Sequence, residues 1–282
     1  MNAKVLNLYD SKVYAGKKLK ADFGSSFHIT VGEYQVLLDL GSSGEVLAYN
    51  SRALGIDFND ISKVVLSHAH VDHTGGLPEF LKSRINSIQI IAHPNILENK
   101  TLAKADSQAP LGLPTVAPEL AQKAVFQLSS QPAEVIPNLY TTGEIPLSQR
   151  TEKQGIASRV RHNVNGAYEW DPVIDDLSLV LVTKNGLVLI TGCCHAGLLN
   201  VCKKAKLLFN KRITAVIGGT HMAEYIPQEV AHVASFLESD YDLPDLYLCH
   251  CTGTNAIAQL RDKFGVRKVQ YFPAGKELQF EI

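Results

Sequence analysis

The chain has 282 residues, 45% of them hydrophobic and 20% charged, with a formal net charge of −1. That size and apolar content support a buried core and exclude a disordered chain. With no stripe of Lys or Arg and no apolar run of membrane length, nucleic acid and the bilayer are poor partners, and a small-molecule substrate is expected. Residues 1–10 have no apolar signal-peptide core, so a cytoplasmic location is expected; the oligomeric state is not readable.

In chain order, 27–31 and 35–41 read as two strands joined by the turn residues Gly32 and Glu33. The β-branched run 63–67 is a further strand. It leads directly into His68-Ala69-His70-Val71-Asp72-His73, after which Gly75 and Gly76 open a helix. Residues 87–93 give another strand. From about 97 to 172 the periodicity weakens and prolines recur, which predicts an irregular lid or substrate segment inside a single domain spanning 1–282. Residues 177–183 and 187–191 form a hairpin around Asn185-Gly186, ending at Gly192-Cys193-Cys194-His195. Helices at 198–210, 228–239 and 256–264 then alternate with strands at 214–217 and 245–248, the order of mixed sheets covered by helices.

Five cysteines, Cys193, Cys194, Cys202, Cys249 and Cys251, are odd in number and confined to the last third, which argues for reduced thiols over a disulfide framework. The ten histidines say more, since several stand beside Gly, Cys or Asp where a strand runs out. Imidazole and carboxylate suit borderline divalent cations, so the expected cofactor is one or two such ions, zinc first and manganese or iron as alternatives. If the loop is extended, His68, His70 and Asp72 share one side and His73 points elsewhere. His68 and His70 would then hold one ion while Asp72 and His73 reach a second about 4 Å away. His195, at a strand end beside Gly, lies at the same rim.

Ser67-His68-Ala69-His70-Val71-Asp72-His73-Thr74-Gly75-Gly76-Leu77 resembles the metal-binding signature of the metallo-β-lactamase superfamily. The resemblance implies a four-layer αββα sandwich of the mixed α/β (α+β) class. It also implies that Asp39, in Leu38-Asp39-Leu40-Gly41, stands behind the histidines and fixes an imidazole tautomer; taken locally, Asp39 reads equally as a turn residue after a strand. Thr142-Gly143-Glu144, Thr191-Gly192-Cys193-Cys194-His195, Gly218-Gly219-Thr220-His221 and Cys249-His250-Cys251 resemble the branch that includes archaeal dihydropterin ribofuranosyl-aminobenzene phosphate synthase, and the match to its last motif implies His250 as the final ligand. Against the wider superfamily, Asp175-Asp176 stands where a histidine is usual, and Gly192-Cys193 replaces Gly-Asp.

Four positions stay open. His221 completes the metal shell, faces an anionic part of the substrate, or simply begins a helix. Cys193 is a soft ligand or a substrate contact, whereas Cys249 and Cys251, flanking His250 in an extended chain, point away from it and read as packing residues. Arg159 and Arg161, on the irregular segment, would bind substrate anion or merely solvate the loop.

The expected function is a metal-dependent hydrolase that uses a metal-activated hydroxide on a small anionic ester or phosphoester, with Asp72 and Asp39 in catalytic roles. The resemblance suggests a second reading, carbon–nitrogen bond formation or cleavage on a phosphorylated pterin-like compound. A third is a non-catalytic structural zinc protein built on Cys193, Cys194, His195, Cys249 and Cys251. A flavodiiron-type redox role lacks a flavin partner domain.

Overall fold

A computed structural model describes residues 2–104, 107–150, 160–164 and 167–282. It contains two seven-stranded sheets and a smaller four-stranded one. The first sheet runs in the order Glu277–Glu281, Asn2–Tyr9, Ser26–Val31, Tyr34–Leu38, Lys63–Val65, Ile88–Ala92 and Ala124–Leu128. Its first four strands pair antiparallel and the remainder parallel. The second sheet has the same plan: Val269–Tyr271, Asp245–Leu248, Ile213–Gly218 and Gly186–Thr191 are parallel, and Ser178–Thr183, Leu139–Thr141 and Glu134–Ile136 continue it antiparallel.

Three apolar clusters define the layers. Val5, Phe27, Ile29 and Val36 from the first sheet meet Leu179, Leu181, Val188, Ile190 and Ile217 from the second, filling the space between the sheets. Leu37, Val64, Leu66 and Ile90 face outward from the first sheet onto Leu47 of helix Gly44–Ala53 and onto Leu77, Phe80 and Leu81 of helix Leu77–Lys82. On the other flank, Leu187, Leu189, Val216 and Leu246 pack against helices Leu198–Phe209, Pro227–Ser239 and Thr254–Phe264. The architecture is therefore helix, sheet, sheet, helix, as expected for αββα. Central strands such as Gly186–Thr191 are buried at every position, because both faces are covered. Among the described residues no helix is long and apolar enough to cross a membrane.

Several elements differ from the sequence-based expectation. The segment 97–172 is not irregular throughout. Lys100–Lys104, Ser107–Pro110, Val160–Val164 and Ala167–Trp170 form the four-stranded sheet, while Ala124–Leu128, Glu134–Ile136 and Leu139–Thr141 extend the two main sheets. These strands are only three to five residues long, and Ala167–Trp170 is exposed at every position and so carries no apolar alternation. Strands Asn2–Tyr9, Val269–Tyr271 and Glu277–Glu281 and helix Gly44–Ala53 were also unmarked by patterning. Two of those strands fill one side of the first sheet by pairing the beginning and end of the chain, a contact between residues far apart in sequence.

Phe80 is fully buried and meets Phe58 edge-on with ring centroids 4.9 Å apart. Phe80→Ala should lower unfolding stability by about 3–5 kcal/mol, read from urea denaturation midpoints.

Candidate metal centre

The histidine loop follows strand Lys63–Val65 and faces the loop that follows strand Tyr34–Leu38. Four backbone hydrogen bonds hold the two loops and their neighbour together: Leu40 N to His73 O (2.7 Å), Gly76 N to Gly41 O (3.1 Å), Ser25 N to Asp72 O (3.1 Å) and Gly41 N to Ser25 O (3.0 Å). The Gly75-Gly76 pair permits this approach. A Cβ at either position would sit 2.2 Å from a backbone oxygen, Ser42 O or Leu40 O.

The contact brings Asp39 beneath the histidines. Its carboxylate accepts hydrogen bonds from Ser67 N and Ser67 Oγ, each at 2.7 Å, and lies 2.7 Å from His73 Nδ1. With the Ser67 hydroxyl donating to Asp39, His68 Nδ1–H donates to Ser67 Oγ at 2.9 Å. One buried carboxylate therefore sets two imidazoles, His73 directly and His68 through Ser67, and leaves their Nε2 atoms facing inward. The Ser67 relay had no signal in the sequence beyond its place in the motif.

The ligand atoms fall into two adjacent sets. His68, His70 and His195 form one, and Asp72, His73, Cys193 and His250 form the other, with the atoms of each set within 4.8 Å of one another. In the second set His73 Nε2 lies 3.0 Å from Cys193 Sγ, 3.2 Å from His250 Nε2 and 3.5 Å from Asp72 Oδ2. Donor atoms about 2.0–2.3 Å from a tetrahedral zinc lie roughly 3.3–3.8 Å apart, so the Asp72 spacing matches neighbouring ligands of one ion and the Cys193 and His250 spacings fall slightly short of it.

In the first set His68 Nε2, His70 Nε2 and both ring nitrogens of His195 are buried without a hydrogen-bond partner. Unpartnered buried nitrogens are costly unless something else satisfies them, and a cation fits this donor set. Burial pushes the His70 imidazole down to about 3, and burial together with neighbouring histidines holds His68 and His195 well below the ordinary range. All three are thus neutral, the form that ligates. His73 differs. Burial opposes its charge, but the Asp72 and Asp39 carboxylates outweigh that and raise it to about 9. The Asp72 carboxyl, although buried, is held far below the usual range by His73 and His250.

The loop geometry departs from the extended chain assumed above. Val71–Thr74 is one helical turn, so Asp72 does not share a side with His68 and His70 but leaves them together with His73, and both fall in the second set. Cys251 departs in a similar way. His250 has φ 48° and begins the short helical turn His250–Thr252, which rotates Cys251 toward Cys193 and His221, while Cys249 packs between the sheets. Cys251 is therefore not a packing residue. Burial pushes the Cys193 thiol up. Cys194 and Cys249 lie in different apolar clusters, so the five-residue structural zinc set is not assembled.

Polar groups behind the ligands hold the loops in place. Asp10 Oδ1 accepts from His250 N at 2.9 Å and is itself fixed by Tyr271 Oη at 2.7 Å. Asp176 accepts from Ala196 N at 2.9 Å, and burial raises its carboxyl to about 6. Asp175, where a histidine is usual, accepts from Ala69 N at 2.8 Å and pairs with the buried Lys100 at 2.5 Å; Lys100 also pairs with Asp171 at 2.9 Å. Lys100 and Leu111 join the segment 97–172 to the histidine loop, since Val71 N donates to Leu111 O at 2.6 Å. Arg161 lies on strand Val160–Val164 and donates to Val160 O, outside both ligand sets. Arg159 lies outside the described residues.

Residues 19–195 match the model of the metallo-β-lactamase superfamily. The chain is 29% identical to the 7,8-dihydropterin-6-methyl-4-(β-D-ribofuranosyl)-aminobenzene-5′-phosphate synthase of Methanocaldococcus jannaschii, over 99% of this chain and 97% of that protein. Among solved structures it is similar to Tm1679, a metal-dependent hydrolase of the β-lactamase superfamily, with a TM-score of 0.83 and 26% identity over 99% and 100% of the two chains. The zinc-bound PqqB of Methylobacterium extorquens shares the fold alone, with a TM-score of 0.55 and 14% identity over 98% and 99%.

Replacing Asp39 by Asn should keep the fold but weaken metal binding about 10- to 100-fold, measured by competition with a chromophoric chelator.

Proposed function

We infer that this chain, which belongs to the metallo-β-lactamase superfamily, is a metal-dependent hydrolase of a small anionic ester or phosphoester. The observation that carries this reading is the pair of adjoining ligand sets, in the first of which His68 Nε2, His70 Nε2 and both ring nitrogens of His195 are buried without a hydrogen-bond partner. Divalent ions held there would supply a Lewis acid that polarises the scissile bond and lowers the pKa of water. We assign zinc as the first candidate on the strength of the imidazole-rich donor set.

The remaining work falls to side chains. Asp39 and Ser67 keep His73 and His68 in one tautomer and orientation. Asp72 Oδ2 sits 3.2 Å from His250 Nε2, which leaves its other carboxylate oxygen to take the proton of the attacking water. Arg161 is assigned to the anionic part of the substrate, with the described strands Lys100–Lys104 and Val160–Val164 as part of the wall that excludes water.

A second reading, carbon–nitrogen bond formation or cleavage on a phosphorylated pterin-like compound, is favoured by a specific feature. The Phe23 ring, 62% exposed, lies 5.2 Å from the His250 ring. An exposed aromatic face beside the ligands suits a planar heterocycle. The full-length similarity to the Methanocaldococcus synthase points the same way.

The deciding experiment screens metal-loaded protein against phosphodiesters, thioesters, lactones and pterin phosphates, with products identified by mass spectrometry. Hydrolysis products alone support the first reading, and a product joined through nitrogen supports the second. His70→Ala and Asp72→Ala should each abolish turnover and reduce metal content while far-ultraviolet circular dichroism stays unchanged. Phe23→Ala should raise KM for a pterin-type substrate about 2- to 10-fold and leave that for a simple phosphodiester unaltered.

A further inference from the structure

Three neighbouring strands of the second sheet, Gly186–Thr191, Ile213–Gly218 and Asp245–Leu248, run parallel and end in register, Thr191 opposite Gly218 and Gly218 opposite Leu248. Each passes into a loop that presents one soft or borderline donor at nearly the same height: Cys193, His221 and Cys251. Their ligand atoms lie within 4.8 Å of one another. We propose that these three residues form a further metal position, for a thiophilic cation such as Zn²⁺, adjoining the two ligand sets already described and sharing Cys193 with one of them.

Four observations carry the proposal. His221 Nδ1 is buried without a hydrogen-bond partner, as are the nitrogens of the first ligand set. His221 N approaches Cys251 Sγ at 3.3 Å, an N–H···S contact of the kind that stabilises a thiolate. His221 and His250 both adopt left-handed backbone, φ 51° and 48°, conformations costly for residues with a Cβ and kept where something is gained in return. Gly219 makes room, since a Cβ there would meet Cys251 Sγ at 2.7 Å and Gly192 O at 2.3 Å. Two thiolates and an imidazole select soft or borderline ions over Mg²⁺ or Mn²⁺ and leave the fourth tetrahedral position to water or another donor. On binding, the cation displaces the thiol protons to solvent, and no electron transfer is involved.

The position does not require the two-ion reading to be correct. The test uses the full chain purified under reducing conditions, loaded with Zn²⁺, dialysed and assayed for metal per protein. A parallel titration with Co²⁺ reads thiolate ligation through sulfur-to-cobalt charge-transfer absorption. Cys251→Ser and His221→Ala should each hold about one Zn²⁺ fewer than the parent chain, and Cys251→Ser should also lose part of the charge-transfer absorption. Cys251→His restores a donor and should recover the ion. Equal zinc content in the parent and in either loss variant overturns the proposal, as does undiminished charge transfer in Cys251→Ser. His70→Ala separates the two readings. Its zinc loss with charge transfer retained reports on the first ligand set alone, and unchanged zinc in His70→Ala would count against the two-ion centre without touching the Cys251 comparison.

Discussion

Everything at this site is built around one carboxylate that no solvent reaches. Asp39 is fully buried, has φ 64°, and accepts three hydrogen bonds from the segment carrying the histidines. A buried charge without partners would be prohibitive, so the carboxylate is tolerable only while the Tyr34–Leu38 and Lys63–Val65 strands stay side by side and deliver Ser67 and His73 to it. Two imidazoles take their orientation from that arrangement. The backbone strain at Asp39 is held by its neighbours, with Asp39 N bonded to Val65 O at 2.9 Å and Asp39 O bonded to Ser26 Oγ at 2.7 Å.

The candidate ligands come from both sheets, which makes the inter-sheet core part of the site. His68, His70, Asp72 and His73 follow a strand of the first sheet, whereas Cys193, His195 and His250 follow strands of the second. Phe27, Leu38, Val65, Leu179, Val188 and Ile190 determine how far apart those strand ends stand. Their packing free energy, spread over many contacts, thereby sets distances between donor atoms on which ion affinity depends steeply.

Much of this could be read from the sequence, unevenly and for definable reasons. The histidine loop was legible because four donors crowd into six residues, and His195 because it follows an unmistakable hairpin. The role of Asp39 entered through resemblance, as an aspartate after a strand reads locally as a turn. Alternation misplaced Asp72 and Cys251, since it assumes extended chain where Val71–Thr74 and His250–Thr252 each make a helical turn. The four-stranded sheet was illegible in part because its strand Ala167–Trp170 is exposed at every position and carries no apolar alternation. Lys100 looked like any surface lysine until the fold set it between Asp171 and Asp175.

That buried lysine has a consequence for how such a centre can vary. Lys100 belongs to the outer sheet, yet through Asp175 it meets the amide of Ala69, between the two histidines of the loop. Two carboxylates and one ammonium leave a net charge of −1 beneath a place meant for cations, in surroundings where charge is poorly screened. The four-stranded sheet is thus coupled electrostatically to the candidate centre without contributing to either ligand set. A change at Lys100 would alter the potential felt by any cation held at the histidine loop without touching a candidate donor atom.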